Sequence, residues 1–263
     1  VIGSNSDSDS YGSILRTDEE QIQLMKRRGG VGHDLSHLTP SGSYANNSVL
    51  SGLAGSVLYA ERYSNSTKEV RQGDRRGALM LTMSINHPDA EKFIDSKLEL
   101  GKITDANISI RITDEFMKAV KKNGFFIQKF PIDLDITYHE GFMGMLEEGT
   151  YKVNELYNLQ YKNSNEYKGC YAKVVKAKTL WNKIIKNAHQ SAEPGVLFWD
   201  TIINNSPADL YENFGFKTVS TNPCGEVPLS PYDNKHLAPI NLFSYVKNPF
   251  SSDAEFDFKK KKK

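Results

Sequence analysis

Short apolar segments alternate along this chain with segments whose apolar residues recur at helical spacing, and that alternation restricts the fold more than any other feature. Gly77 to Ile85 (GALMLTMSI) reads as a buried strand, followed by a turn at His87-Pro88-Asp89 and a helix from Ala90 to about Lys97. Asn107 to Ile112 alternates as a second strand, and Asp114 caps a helix through Val120. Lys176 to Ser191 is an amphipathic helix with Leu180, Ile184, Ile185 and Ala188 along one face. Gly195 to Trp199 is a short strand or turn, and Pro239 to Val246 is a further apolar strand. Parallel neighbours are joined only by crossovers, so strands and helices alternating every ~20 to 40 residues favour an α/β fold with mostly parallel strands.

The flanking regions are less regular. Residues 1–16 read as a strand end and a polar loop. Thr17-Asp18-Glu19-Glu20 has the cap-and-acid pattern of a helix start, leading a helix to about Arg28 that Gly29-Gly30-Val31-Gly32 stops. Leu50 to roughly Asn65 is helical in pattern but weakened by Gly52 and Gly55. Residues 121–172, rich in Tyr, Asn, Lys and Glu, carry little periodicity and read as surface elaboration.

Balanced charge (+1) gives no global signal for nucleic-acid or membrane binding. No apolar run approaches the ~20 residues that span a bilayer, and Val1-Ile2-Gly3-Ser4 lacks the pattern of a signal peptide. Two cysteines, Cys170 and Cys224, cannot build a disulfide framework, which makes a reducing, cytoplasmic setting the default. The apolar start without Met and the closing lysine run suggest a fragment or truncated gene product.

The chemistry concentrates in Asn222-Pro223-Cys224-Gly225-Glu226, where an amide, a thiol and a carboxylate stand at i, i+2 and i+4. Pro223 and Gly225 argue against helix. In an extended segment alternate side chains share a face, so the three groups are expected to converge. An amide to hold a ligand, a sulfur for nucleophilic or one-electron chemistry and a proton acceptor make a reaction centre. A cysteine hydrolase needs a histidine base, and His236 stands in no protease-like pattern. His33 and His37 share helical spacing, but the glycines before them, Pro40 after them and the lack of a third ligand favour structural hydrogen bonding for them and for His87, with no metal site. His189 and Glu193 read as packing and helix ending rather than an acid–base pair, and Cys170 is given no role.

Several stretches in register resemble the catalytic subunits of ribonucleotide reductases. They are Arg27 to Leu38 (RRGGVGHDLSHL), Glu61 to Thr67 (ERYSNST), Arg75 to Leu81 (RRGALML), His87 to Glu91 (HPDAE), Ala188 to Gly195 (AHQSAEPG) and Ser220 to Glu226 (STNPCGE). The resemblance is closest to the adenosylcobalamin-dependent branch and covers nearly all of the chain outside 121–172. It implies a portion of a ten-stranded α/β barrel, with residues 1–263 forming one partial barrel domain and an insert around 121–172. It also implies reduction of ribonucleotides to deoxyribonucleotides.

In that reading Cys224 becomes a thiyl radical inside a dry site and takes hydrogen from the ribose 3′ carbon. Glu226 accepts the 3′-hydroxyl proton, and Asn222 holds the ribose hydroxyls. Gly30, Asn222, Pro223, Cys224, Gly225 and Glu226 line the substrate site. Gln72, Arg75, Arg76 and Gly77 lie in the loop that relays the effector's identity, and Asp9 falls near the effector-site carboxylate. The implied cofactor is adenosylcobalamin. The implied partners are a ribonucleotide substrate, a deoxynucleotide or ATP effector, a thioredoxin-type reductant and, where the barrel is split, a second chain completing it.

The chain departs from the family at two positions. Thr39 stands where relatives have arginine, and Lys235 stands where the pattern has one of two cysteines that deliver electrons; the other is expected just before Val1. An amine cannot replace a thiol in disulfide exchange, so a non-catalytic or split nucleotide-binding module is the alternative reading.

Overall fold

The computed structural model describes residues 1–2, 9–43, 55–70, 76–99, 101–134, 152–158 and 170–260. Four strands form a parallel sheet: β1 (Val31–Asp34), β2 (Leu79–Ser84), β3 (Asn107–Ile112) and β7 (Gly195–Phe198), hydrogen-bonded in the order β1-β2-β3-β7. The order follows the chain and never reverses. A sequential parallel order is that of an α/β barrel wall, without the strand-order reversal of a doubly wound fold. All six residues of β2 and five of the six in β3 are buried, which is why both read as near-continuous apolar runs.

Helices cover the outer face. α1 (Tyr11–Lys26) precedes β1, α2 (Ser56–Glu69) joins β1 to β2, and α3 (Ala90–Asp95) joins β2 to β3. The return from β3 to β7 is longer. It carries α4 (Asp114–Lys121), an antiparallel sheet of β4 (Phe125–Phe130), β5 (Leu156–Asn158) and β6 (Tyr171–Lys176) in the order β4-β6-β5, and α5 (Ala177–Ser191). After β7 come α6 (Trp199–Asn205), a 3-10 segment Ala208–Phe214, the short hairpin β8 (Ser220–Thr221) and β9 (Pro228–Leu229), and the small pair β10 (Val246–Lys247) and β11 (Glu255–Phe256). The core joins Ile14, Tyr63, Leu81, Ile94, Ile110, Phe116, Leu180 and Ile184 across sheet and helices. Among the described residues no helix is long and apolar enough to cross a membrane.

The structure departs from the expectation for the first helix. α1 begins six residues before Thr17, capped by Ser10, whose hydroxyl accepts from the Ser13 N–H. Thr17 and Asp18 are buried inside it because the core-facing stripe is Ile14, Thr17, Asp18, Gln21 and Met25. Tertiary partners override the local signal: Asp18 pairs with Arg62, and Gln21 donates to the Tyr63 carbonyl and Thr67. Two further differences are strands where none was expected. Val31–Asp34 is β1 rather than only the end of a helix stop, and the weakly patterned 121–172 stretch contains β4, β5 and part of β6. Pro239 to Val246 is not a strand. Asn241 caps a 3-10 turn over Leu242–Tyr245 by accepting from the Phe243 N–H.

Candidate active site

The Asn222–Glu226 segment is the tip of the β8–β9 hairpin. The Asn222 N–H donates to the Val227 carbonyl (3.2 Å) and the Gly225 N–H to the Asn222 carbonyl (3.0 Å). Gly225 takes φ +86°, a left-handed conformation that a side chain would oppose. The segment is therefore turned, not extended. Turning still unites the outer pair, since the Asn222 amide nitrogen donates to Glu226 Oε2 at 2.7 Å and Asn222 Oδ1 accepts from the Val227 N–H at 2.9 Å. Cys224, the middle residue of this segment, is exposed rather than enclosed in this chain, so the convergence expected of three groups is seen for the outer two.

The hairpin lies across the parallel sheet, running from the strands' C-terminal ends to their N-terminal ends. At one end the Val219 carbonyl accepts from Arg111 (3.0 Å), and Ser220 Oγ meets Thr82 Oγ1 at 2.9 Å. At the other, Asn107, the first residue of β3, donates to the Pro223 carbonyl at 2.9 Å. Two glycines allow the approach. A Cβ on Gly32 would sit 2.0 Å from the Thr221 carbonyl oxygen, and one on Gly30 would sit 2.6 Å from Pro223 Cγ. Gly30 thus touches the hairpin at Pro223.

Beneath the hairpin is a buried charge network that the sequence did not announce. Arg111 binds Asp34 at 3.0 Å, donates to Ser36 Oγ at 2.8 Å, and stacks over the Trp199 ring at 4.4 Å. Burial lowers the Arg111 pKa, opposed by the Asp34 charge. His33, on β1, is stacked on Tyr63 and bonded to Gln21 and the Ile2 carbonyl. Burial pushes its pKa down to about 4, so it is neutral at pH 7. His87 is likewise buried, bonded to the Leu38 carbonyl and lowered by desolvation. Both rings are held by hydrogen bonds inside the fold, and among the described residues no group of three or more His, Cys, Asp or Glu is placed to hold a metal.

A cavity of about 220 Å³ adjoins Gly30, lined by Met25, Arg28, Gly29, Arg76, Gly77 and Ala78 among others. Arg76 and Gly77 thereby come beside Gly30, while Gln72 and Arg75 lie outside the described residues. Asp9 is engaged locally, accepting from the Thr39 N–H (2.6 Å) and hydroxyl (2.5 Å). Glu193 does not pair with His189; it accepts from the Ile108 N–H (2.9 Å) and from Lys97, tying the approach to β7 onto β3.

A parallel sheet in sequential strand order, with a hairpin bearing a cysteine, an amide and a carboxylate laid across it, defines an enzyme-like part of an α/β barrel. The family comparison is decisive: residues 2–263 match the ribonucleotide reductase barrel domain, and the chain belongs to that family. It is 30% identical over 236 residues to the vitamin B12-dependent ribonucleoside-diphosphate reductase of Mycobacterium tuberculosis (strain CDC 1551 / Oshkosh), covering 89% of this chain and 28% of that protein. The protein of that description from Thermoplasma acidophilum is 31% identical over 240 residues, 90% of this chain and 26% of its own length. The ribonucleoside-diphosphate reductase large subunit of Vaccinia virus (strain Copenhagen) is 29% identical over 264 residues, 97% of this chain and 31% of its own length. The chain therefore spans between a quarter and a third of these relatives.

Proposed function

We propose that this chain carries the thiol half of a ribonucleotide reductase site, within one barrel domain bearing an insert around 121–172. The observation that carries the reading is the hairpin tip, where Asn222 grips the Glu226 carboxylate and Cys224 is the middle residue of the segment that joins them. Cys224 takes the hydrogen from the ribose 3′ carbon as a thiyl radical and returns it at the end of the cycle. Glu226 accepts the 3′-hydroxyl proton, and the Asn222 amide orients the same hydroxyls. The relatives named as ribonucleoside-diphosphate reductases favour a ribonucleoside diphosphate as substrate.

The cavity beside Gly30 supports this reading. Arg28 and Arg76 give it cationic walls, and the glycines let a flat base approach the backbone. Arg76 and Gly77 join this cavity to the loop we assign to effector response.

The exposed Cys224 thiol is accessible to a bulky radical generator, which fits adenosylcobalamin, a form of the vitamin B12 named for the bacterial and archaeal relatives. When bound, that group supplies the unpaired electron; in this chain Cys224 is the residue that would face it. Enclosure of the site falls to surfaces that pack on this face. Leu210 and Phe214 are 83% and 78% exposed, and β7 ends the described parallel sheet.

The test is release of tritium from a 3′-tritiated ribonucleoside diphosphate by the protein with adenosylcobalamin and an effector nucleotide. Cobalamin-dependent release supports the reading, and its absence in the presence of bound nucleotide contradicts it.

A further inference from the structure

We propose that Lys235 is a positioning residue of this site, holding the Glu226 carboxylate in place and cancelling its charge beside the Cys224 thiol. From Pro231 to Ile240 every residue is exposed except Lys235. Its side chain is only 18% exposed and folds inward to form an ion pair with Glu226 Oε1. The other carboxylate oxygen, Oε2, accepts from the Asn222 amide. Glu226 is thus gripped at both oxygens by groups on either side of it in the chain. An ionised carboxylate has about four lone-pair positions, so a ligand hydroxyl can still donate to it.

The backbone around Lys235 is anchored. The Tyr232 N–H donates to the Val1 carbonyl (2.7 Å), and the Val1 amino group donates to the Asp233 carbonyl (3.2 Å). These bonds hold the backbone just before Lys235, whose ammonium reaches the Glu226 carboxylate. The reaction-centre segment of residues 222–226 carries one formal charge, that of Glu226, and Lys235 reduces the local sum from −1 to 0. A polyanionic ligand such as a nucleotide then approaches a neutral tip rather than a negative one. The assignment of Glu226 as a proton acceptor rests on the proposed function; the charge pairing does not.

The experiment reads local charge without requiring turnover. Cys224 is alkylated with neutral iodoacetamide and with anionic iodoacetate, and the ratio of the two rates is compared between wild type, Lys235→Met, Lys235→Arg and Glu226→Gln. Buried Cys170 reports any loss of fold. Removing the ammonium should lower the iodoacetate-to-iodoacetamide ratio by roughly three- to tenfold, an effect that shrinks as salt is added. K235R should restore the ratio to within about twofold, and E226Q should raise it, while the double variant E226Q/K235M returns it to the wild-type value. A K235M ratio within about twofold of wild type, with Cys170 still protected, overturns the proposal. If K235M loses its fold, the comparison of E226Q with wild type decides, since an unpaired Lys235 must favour the anionic reagent. The charge effect without tritium release would leave Lys235 as assigned and remove the radical reading; the reverse result would do the opposite.

Discussion

Gly32→Ala tests whether the β8–β9 hairpin is held by its contact with β1. The new Cβ would lie 2.0 Å from the Thr221 carbonyl oxygen, a backbone atom that no rotamer change can move. Non-bonded atoms rest at roughly 3.5 Å, so the hairpin must retreat by more than about 1 Å. That movement stretches the Ser220–Thr82, Arg111–Val219 and Asn107–Pro223 bonds, now 2.9, 3.0 and 2.9 Å, beyond useful length. Each is worth about 1 kcal/mol, and overpacking adds ~1 to 3 kcal/mol. Replacing a strand glycine would otherwise stabilise by ~0.5 to 1 kcal/mol, so the clash wins and the net loss is roughly 3 to 5 kcal/mol. Urea unfolding of the variant should show that loss, with Tm lower by on the order of 10 °C. Gly12→Ala is the control: it lies in α1 with nothing within 4 Å of where the added methyl would sit, so it should be neutral or stabilising. A Gly32→Ala protein within about 0.5 kcal/mol of wild type would refute the argument that the hairpin and β1 share this contact.

Two further perturbations probe the buried polar groups. His33 stays neutral in the fold down to about pH 4, whereas in the unfolded chain it titrates near ~6.5. Its contribution is intact above pH ~6.5 and is lost as pH falls toward 4, by about 1.4 kcal/mol per unit. Urea midpoints should therefore fall between pH 7 and pH 5, with buried His87 acting in the same direction; a flat profile would contradict this. Arg111→Met leaves the buried Asp34 charge without its guanidinium and should cost ~3 to 5 kcal/mol, most of it recovered in Asp34→Leu/Arg111→Met. Additive losses in the double variant would show that the two residues are not coupled.

The legible parts of the sequence are those whose signal is local. β2 and β3 are apolar because helices and hairpin bury both faces, so their runs could be read directly. β1 is four residues long and includes His33 and Asp34, whose burial depends on Gln21, Ile2 and Arg111. Nothing within the stretch itself announces that. The convergence of Asn222 and Glu226 was expected, but from an alternation the hairpin does not have; Gly225 turns the chain instead. Asn107, 116 residues from the carbonyl it binds, had no sequence signal at all. Lys235 was legible as a missing thiol but not as a partner of Glu226, because residues nine apart in a loop share no periodicity.

In the proposed reaction the Cys224 sulfur moves hydrogen at the sugar. The most direct test of that step is tritium release from 3′-labelled ribonucleoside diphosphate by wild type and Cys224→Ser under one set of conditions, with nucleotide binding measured in parallel. Release should disappear in the serine variant while binding persists. Equal release by both proteins would contradict that step.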